Sequence, residues 1–456
     1  MSELKYDDLK LGEKAKEEYL SGKSIEYIKE NCPIYLNTKP FLNNLNVTDA
    51  VVAGVLSGLG ILLVGDTGTG KSQLAKDIYN YYFNGNKKEG GNGIFIKARL
   101  DIDIYNEIFT ELNINKASRE LTETIDSLVF NVDELNRNPT IAQNQFFGLG
   151  DGSMDYNGRS IRLGRDGYKL LIATANIGNG EFQGTFETDK ALYNRMPISI
   201  DFDHEMYKPL EEDEMFIDDL READPNIKEA PRRDISDKII EASREISRMT
   251  LDLGLEEKAI INYLRFGLDN CREKGKKGKV WPINCQDCKN NKDGKYLSSL
   301  IKAPLRRSVN STVRYAAAMD YLSKLKDPKQ KTDPVDLMFK AFEVTGAYQM
   351  LLNPQILRQE YYDQNPKMMA DVAAKLKEDF RKNEDYIIAS LEESKKGKVL
   401  TKFFAAGDKI GNYEDLSAET KKKVKPIEPF TDKREVGLSW MNNLIKFKLK
   451  DKKWAA

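Results

Sequence analysis

The segment from Gly65 to Ser72 constrains the fold of this chain more than any other stretch. It reads G-D-T-G-T-G-K-S and fits the pattern G-x-x-x-x-G-K-[ST]. The apolar run Ile61–Val64 before it is typical of a buried strand, and Gln73–Tyr79 after it is typical of a helix. A glycine loop between a strand and a helix turns backbone N–H groups toward phosphate oxygens. The alternative is a glycine-rich turn, which would not explain why strand, loop and helix agree.

The sequence therefore predicts a nucleoside-triphosphate site on this loop. Lys71 should reach the β- and γ-phosphates, and the hydroxyl of Ser72 should bind Mg²⁺. The predicted nucleotide-binding residues are Gly65, Asp66, Thr67, Gly68, Thr69, Gly70, Lys71, Ser72 and Gln73.

A second motif follows the apolar run Leu128–Val132, where Asp133 and Glu134 stand side by side. P-loop enzymes take a second Mg²⁺ ligand from the carboxyl end of a neighbouring strand, so we predict Asp133 for the metal. Glu134 is predicted to polarise the attacking water. The alternative for this pair is an acidic helix N-terminus. Asn176, after the strand candidate Lys169–Thr174, is predicted to hold the same water, although asparagine in this position is often only a turn residue.

Composition limits the classes of protein that this chain can belong to. Its 456 residues suggest two or three domains, and 71 Lys and Arg residues balance 72 Asp and Glu residues. This balance gives no overall field that favours nucleic acid, although it does not exclude nucleic acid as a partner. No apolar run reaches the ~18–20 residues of a membrane span. Because the first residues lack an apolar signal region and four cysteines are too few for a disulfide scaffold, we expect a cytoplasmic protein.

The chain divides into an α/β part and a helical part. Strand candidates at 61–64, 94–96, 128–132, 169–174 and 198–202 alternate with helical stretches, which predicts a five-stranded parallel sheet with helices on both faces. Residues 101–125 read as polar and helical, without a recognisable hairpin. Beyond about residue 206 the strand pattern fades into helices. Four segments are expected: a helical segment 1–45, an α/β core 46–205, a helical region 206–353 with a Lys- and Cys-containing insertion at about 272–297, and a helical, Lys-rich extension 354–456 of unassigned role.

The order of these motifs resembles the MoxR-type AAA+ ATPases. The segment Asp133–Pro139 is similar to the family's D-E-I-N-R-A-P, and Ala173–Asn176 is similar to its A-T-Q-N sensor 1. Met154–Leu163 resembles its pre-sensor hairpin, and Gly184–Met196 resembles its G-T-Y-P-L…A-L-x-D-R-F segment. The resemblance holds from about residue 48 to 203, and implies the AAA+ P-loop fold with an α-helical lid after the core.

The resemblance also implies a homo-oligomeric ring, usually a hexamer, with ATP and Mg²⁺ at each subunit interface. Arg195 would then be the arginine finger that acts on the neighbour's γ-phosphate; the alternative is an ordinary surface arginine. For Arg137 a contact in trans and an ion pair within the subunit are both open. Arg307 is similar to the sensor 2 arginine of the lid, with Arg306 as the alternative. Asn194 departs from the family's aspartate before the finger.

Three cysteines suggest a second metal. Cys285 and Cys288 form a C-x-x-C in the insertion, and Cys271 lies upstream, so that they could share a structural Zn²⁺. Plain thiols are the alternative, because no second C-x-x-C exists and the single histidine, His204, is distant in the sequence.

Three functions are compatible with this sequence. The first is a MoxR-like ATPase that remodels or assembles a client protein complex, with a von Willebrand A-domain protein as the partner that the resemblance implies. The second is a nucleic-acid-stimulated AAA+ motor or restriction-type NTPase subunit. The third is a nucleotide-gated scaffold without turnover, which the full set of competent residue types disfavours.

Overall fold

The computed structural model describes residues 3–33, 40–116, 118–176, 186, 188–204, 207–208, 210–220, 231–268, 297–395, 402–407 and 409–427. The chain forms two compact units. One unit combines residues 1–251 with 313–332, and the other combines residues 252–312 with 333–456. The four-segment division of the sequence stays a prediction.

The first unit is an α/β structure. In chain order its strands are β1 (Pro40–Leu42), β2 (Leu45–Asn46), β3 (Ile61–Val64), β4 (Gly93–Lys97), β5 (Thr110–Asn113), β6 (Ser118–Leu121), β7 (Val129–Asp133), β8 (Ser153–Tyr156), β9 (Arg159–Arg162), β10 (Leu170–Ala175) and β11 (Ile198–Asp201). Its helices are α1 (Tyr6–Leu9), α2 (Glu13–Leu20), α3 (Ile25–Asn31), α4 (Val47–Ser57), α5 (Lys71–Phe83), α6 (Phe147–Asp151), α7 (Lys190–Tyr193), α8 (Glu211–Leu220) and α9 (Ser236–Met249).

Five strands form one parallel sheet in the order β11-β3-β10-β7-β4. All residues of β3 and β10 are buried, as expected for apolar strands that are covered on both faces. The register places Val64 of β3 beside Ala175 of β10, and Val132 of β7 beside Ala173. The carboxyl ends of these three strands therefore meet at one edge of the sheet.

Helix α4 precedes β3 and is buried along its whole length. It begins with a capping box, because the Asn46 side chain accepts from the N–H of Asp49 at 2.7 Å and the Asp49 carboxylate accepts from the N–H of Asn46 at 2.9 Å. It ends at Gly58, whose φ of 66° is a left-handed conformation that glycine adopts without strain. These caps fix the turn into β3, which leads to the phosphate-binding loop.

A hairpin is present in the predicted segment Met154–Leu163, as the antiparallel pair of β8 and β9. The helical expectation for residues 101–125 is wrong for Thr110–Asn113 and Ser118–Leu121, where β5 and β6 form an antiparallel hairpin, while short helical turns occupy Tyr105–Phe109 and Glu123–Asp126. These two strands are short, and only Thr110 among their eight residues is buried. Their charged residues leave no clear alternation of apolar and polar side chains in the sequence.

The second unit is mainly helical. Its elements are α10 (Leu255–Asn262), α11 (Leu297–Leu300), the first turns of α12 (Arg306–Lys326), α13 (Pro334–Gly346), α14 (Pro354–Tyr361), α15 (Asn365–Lys382), α16 (Glu384–Lys395), β12 (Phe403–Ala406), β13 (Lys409–Asn412) and α17 (Ala418–Lys423). Its core includes the rings of Tyr263, Phe339 and Phe380, whose centroids lie 5.5–6.3 Å apart. The hairpin of β12 and β13 shows that the extension is not helical throughout.

The predicted fold class, an α/β core with a five-stranded parallel sheet followed by a helical region, is confirmed. In the described part of the chain, no helix has the length and apolar character that a membrane crossing requires.

Candidate nucleotide-binding and hydrolysis site

The predicted phosphate-binding loop joins β3 to α5. Gly68 and Gly70 adopt φ angles of 85° and 87°, a region that disfavours side chains, and α5 begins at Lys71 directly after Gly70. The loop is held together from within, since Thr69 Oγ1 donates to the Asp66 carbonyl at 2.8 Å. The strand, loop and helix that the motif requires are therefore all present.

Lys71 is buried at the centre of this loop, with 6% of the residue exposed. Its ammonium donates to the Gly65 carbonyl at 2.8 Å and to Thr69 Oγ1 at 3.2 Å. Burial lowers the pKa of Lys71, and the carboxylates of Asp203 and Asp66 oppose this shift. The ammonium thus already lies inside the loop, where its bonds to neutral oxygens could be exchanged for phosphate oxygens.

Ser72 and Asp133 lie together, although 61 positions separate them in the sequence. Ser72 Oγ donates to Asp133 Oδ1 at 2.7 Å. A hydroxyl and a carboxylate oxygen are hard ligands of the kind that Mg²⁺ prefers beside substrate phosphates. This donor set fits the magnesium site that the sequence predicts.

Glu134 directly follows β7 in an unusual conformation. Its φ and ψ of 55° and 48° lie in the left-handed region, which is uncommon for residues other than glycine. Residues with this conformation are found most often at functional positions. Its carboxylate pairs with Arg137, at 2.9 Å from Oε1 to Nη2 and 2.7 Å from Oε2 to Nε. Of the two alternatives for Arg137, this structure shows the ion pair within the subunit.

Asn176 lies after β10, beside Asn136 of the segment that follows β7. The Asn136 amide donates to the Asn176 carbonyl at 2.8 Å, and its Oδ1 accepts from the Asn176 N–H at 3.4 Å. Asn136 is 4% exposed, so the side chain that makes these bonds is buried. Asn136 therefore fixes the backbone that carries the predicted sensor residue.

Arg195 follows α7 and contacts α6. Its Nε and Nη2 donate to Asp151 Oδ2 at 2.9 and 2.6 Å, and its Nη1 donates to the Ala191 carbonyl at 2.9 Å. The guanidinium lies 4.4 Å from the centroid of the Phe147 ring. Only 17% of the side chain is exposed, so Arg195 is a held side chain and not a mobile surface arginine.

Other predicted site residues fall elsewhere. Gln73 donates to Asp77 Oδ1 at 2.8 Å, one turn along α5. Arg306 and Arg307 lie in the first turn of α12, in the second compact unit. Cys271, Cys285 and Cys288 lie outside the described residues, and so do residues 184, 185 and 187 of the predicted segment Gly184–Met196. Within the residues that the structure describes, no cluster of three His, Cys, Asp or Glu could hold a metal ion.

Sequence reasoning missed several residues that build the site. Thr174 donates to Asp133 Oδ1 at 2.7 Å and accepts from the N–H of Glu134 at 2.9 Å. Asp151 was missed because only the fold brings it to Arg195. The position of Thr174, two residues before Asn176 at the end of a predicted strand, was a usable sequence signal.

A separate cavity of about 540 Å³ lies against the β8–β9 hairpin. Its lining includes Asp103, Tyr105, Phe109, Gln145, Asp151 and Asp155. None of its lining residues belongs to the phosphate-binding loop or to β7, so this cavity is distinct from the candidate nucleotide site.

Comparisons with known proteins give distant structural likenesses. No protein-family model matches the sequence, and no curated protein matches it significantly. A crystal structure of a candidate ATPase from Cytophaga hutchinsonii is similar with a TM-score of 0.48 and 17% identity, over 72% of this chain and 88% of that chain. A full-length MCM homologue from Methanopyrus kandleri is similar with a TM-score of 0.39 and 12% identity, over 66% of this chain and 55% of its own length. Neither likeness carries a function, which depends on the residues described above.

Proposed function

We propose that this chain is a Mg²⁺-dependent ATP hydrolase of the AAA+ type. The observation that carries the proposal is the hydrogen-bond chain from Ser72 through Asp133 to Thr174 and the Glu134 N–H. It joins the phosphate-binding loop to the acidic pair across two neighbouring strands. A glycine-rich turn or an acidic helix start would not need this arrangement.

Each residue has a distinct part in the proposed reaction. Lys71 and the loop N–H groups hold the triphosphate, and Ser72 with Asp133 would hold Mg²⁺, which neutralises phosphate charge when bound. Glu134 accepts a proton from the attacking water, and Asn176 orients that water. Because Arg137 pairs with both oxygens of the Glu134 carboxylate, Glu134 must exchange this partner before it acts on water.

The remaining part of the proposal concerns assembly. In the MoxR-like reading, Arg195 meets the γ-phosphate bound by a neighbouring copy, so that a closed ring, a hexamer in the family, is required for turnover. The work of the ring would be to remodel a client protein complex, with a von Willebrand A-domain protein as the partner that the resemblance implies. The sensor 2 role of Arg307 belongs to the same proposal.

The test is phosphate release from ATP by the full-length protein with and without Mg²⁺. We expect Lys71→Ala to abolish turnover and Glu134→Gln to bind ATP but hydrolyse it at least about a hundredfold more slowly. Wild-type turnover in either variant would contradict the assigned site.

Mixing two inactive variants tests the ring. Lys71→Ala keeps an intact finger and Arg195→Ala keeps an intact loop, so mixed rings should contain complete sites and recover activity. No recovery would contradict the trans finger, whereas stimulation by DNA or RNA above roughly tenfold at moderate salt would favour the motor instead.

A further inference from the structure

The carboxylate of Asp151 is the main polar partner of Arg195. It accepts from both Nε and Nη2, so it holds the guanidinium along one edge. We propose that Asp151 is a positioning residue for the arginine finger, which holds Arg195 ready for the nucleotide of the neighbouring subunit. This inference rests on the proposed function, in which Arg195 acts in trans.

The donor count of the guanidinium supports positioning. A guanidinium carries five N–H donors. Asp151 takes one from Nε and one from Nη2, and the Ala191 carbonyl takes one from Nη1. With respect to the described residues, one donor on Nη1 and one on Nη2 remain for a phosphate. The finger is thus held without losing its capacity to bind an anion.

The packing around Arg195 fixes the plane of the guanidinium. The Phe147 ring covers one face, with 4.4 Å between Cζ and the ring centroid. Gly150 lies against the stem of the side chain, where an added Cβ would stand 2.7 Å from Arg195 Cβ and 2.9 Å from its Cδ. Residues 147–151 of α6 therefore form the packing surface, or seat, of the Arg195 side chain. Only glycine at position 150 leaves room for that side chain.

Holding the side chain has a consequence for catalysis. A free arginine loses rotamer freedom when it is ordered at a transition state, whereas a held arginine has already lost it. Replacing the Asp151 carboxylate by a neutral amide should therefore lower the rate of the chemical step. ATP binding to the phosphate-binding loop of the same subunit should not change.

The main test compares Asp151→Asn with Asp155→Asn in the full-length protein. Both substitutions remove one exposed carboxylate, but Asp151 accepts from Arg195, whereas Asp155 on β8 is not among the described hydrogen-bond partners of Arg195. We expect Asp151→Asn to lower kcat about ten- to hundredfold with the KM for ATP within about twofold of wild type, because finger loss itself costs about 10³–10⁵. Asp155→Asn should keep the wild-type kcat. Equal rates for both variants would overturn the proposal.

Mixing separates positioning from damage to the variant's own site. When Asp151→Asn is mixed with Lys71→Ala, the intact finger of the second protein should complete the loop of the first, and activity should rise above that of either alone. A loss that mixing does not recover would place the defect in cis and overturn the role of Asp151.

Two further variants keep the outcomes distinct. Gly150→Ala leaves every charge unchanged and should displace Arg195. We therefore expect the same loss of kcat as in Asp151→Asn and the same recovery on mixing with Lys71→Ala. A fully active Gly150→Ala would contradict the proposed packing of Arg195 on α6, even if Asp151→Asn does not fold. Arg195→Ala is the reference. If Arg195→Ala loses activity and recovers on mixing while Asp151→Asn behaves as wild type, only this inference fails; if Arg195→Ala is fully active, the trans finger of the proposed function fails.

Discussion

Thr174 and Asp133 lie on neighbouring parallel strands and are joined by a hydrogen bond of 2.7 Å between Thr174 Oγ1 and Asp133 Oδ1. The same hydroxyl accepts the N–H of Glu134 at 2.9 Å. One side chain thus orients both the carboxylate proposed for Mg²⁺ and the backbone of the residue proposed to act on water.

Replacement of Thr174 by valine should therefore impair hydrolysis. Thr174→Val keeps the shape of the side chain but leaves the Glu134 N–H without its acceptor. An unsatisfied buried donor destabilises a protein by about 1–3 kcal/mol. We expect kcat to fall about tenfold and the Mg²⁺ concentration for half-maximal rate to rise. Thr174→Ser keeps the hydroxyl and serves as the control, with a kcat within about threefold of wild type. Equal losses in both variants would show that the methyl group, and not the hydroxyl, matters.

Asn136 should matter for turnover because it supports the predicted sensor residue Asn176. It holds the Asn176 backbone by two hydrogen bonds and accepts the Phe186 N–H on its carbonyl at 2.7 Å. Asn136→Ala should release Asn176 and lower kcat about tenfold, with little change in ATP affinity measured by equilibrium nucleotide binding. The exposed Asn144 provides the control, because Asn144→Ala removes an amide without these partners. An unchanged kcat for Asn136→Ala would mean that Asn176 needs no such support.

The parallel sheet could be predicted because its strands are short apolar runs that recur between helical stretches. Each predicted strand, such as 128–132 against the observed Val129–Asp133, lies within one or two residues of its observed position. Strands that are buried on both faces of a sheet need such continuous apolar runs, and polar segments of the chain lack them. The same reasoning placed Asp133 and Glu134 at a strand end.

Contacts between distant segments were beyond the sequence. Asp151 meets Arg195 across 44 positions, and no local pattern marks it. The β5–β6 hairpin could not be predicted for another reason. Leu112 is 62% exposed, and the two strands bury too little apolar surface to require an alternating pattern. Backbone pairing holds that hairpin together, with side-chain hydrogen bonds from Asn113 to Glu120 and from Arg119 to Thr110.

A buried amide in the central sheet predicts a stabilising substitution. Asn131 on β7 is fully buried, and neither polar atom of its side chain has a partner among the described residues. Asn131→Leu keeps the same branched side-chain skeleton and removes the cost of burying an unpaired amide, so we expect it to raise the free energy of unfolding by about 1–2 kcal/mol.

Urea unfolding measures this change, and Asn131→Asp is the opposite control, because a buried carboxylate should destabilise the protein. A loss of stability in Asn131→Leu would indicate that the amide is paired in solution, for example through an internal water.

Asp77 predicts how stability depends on pH. It lies on α5 with 1% exposed, and burial raises the pKa of its carboxyl from 3.8 to about 7, against the opposing hydrogen bond from Gln73. Because the folded state binds this proton more tightly than the unfolded state, stability falls as pH rises from about 4 to about 7, by on the order of 4 kcal/mol in total. Above about pH 8 both states are ionised and the loss is complete.

Asp77→Asn removes this titration while its carbonyl can still accept from Gln73. We expect the variant to exceed wild type in stability at pH 8 and the difference to shrink steadily as pH falls toward 5, as measured by urea unfolding at each pH. The exposed Asp126 gives a matched control, since Asp126→Asn makes the same chemical change at the surface. A difference between Asp77→Asn and wild type that stays constant from pH 5 to 8 would mean that Asp77 ionises at an ordinary pH in the folded protein.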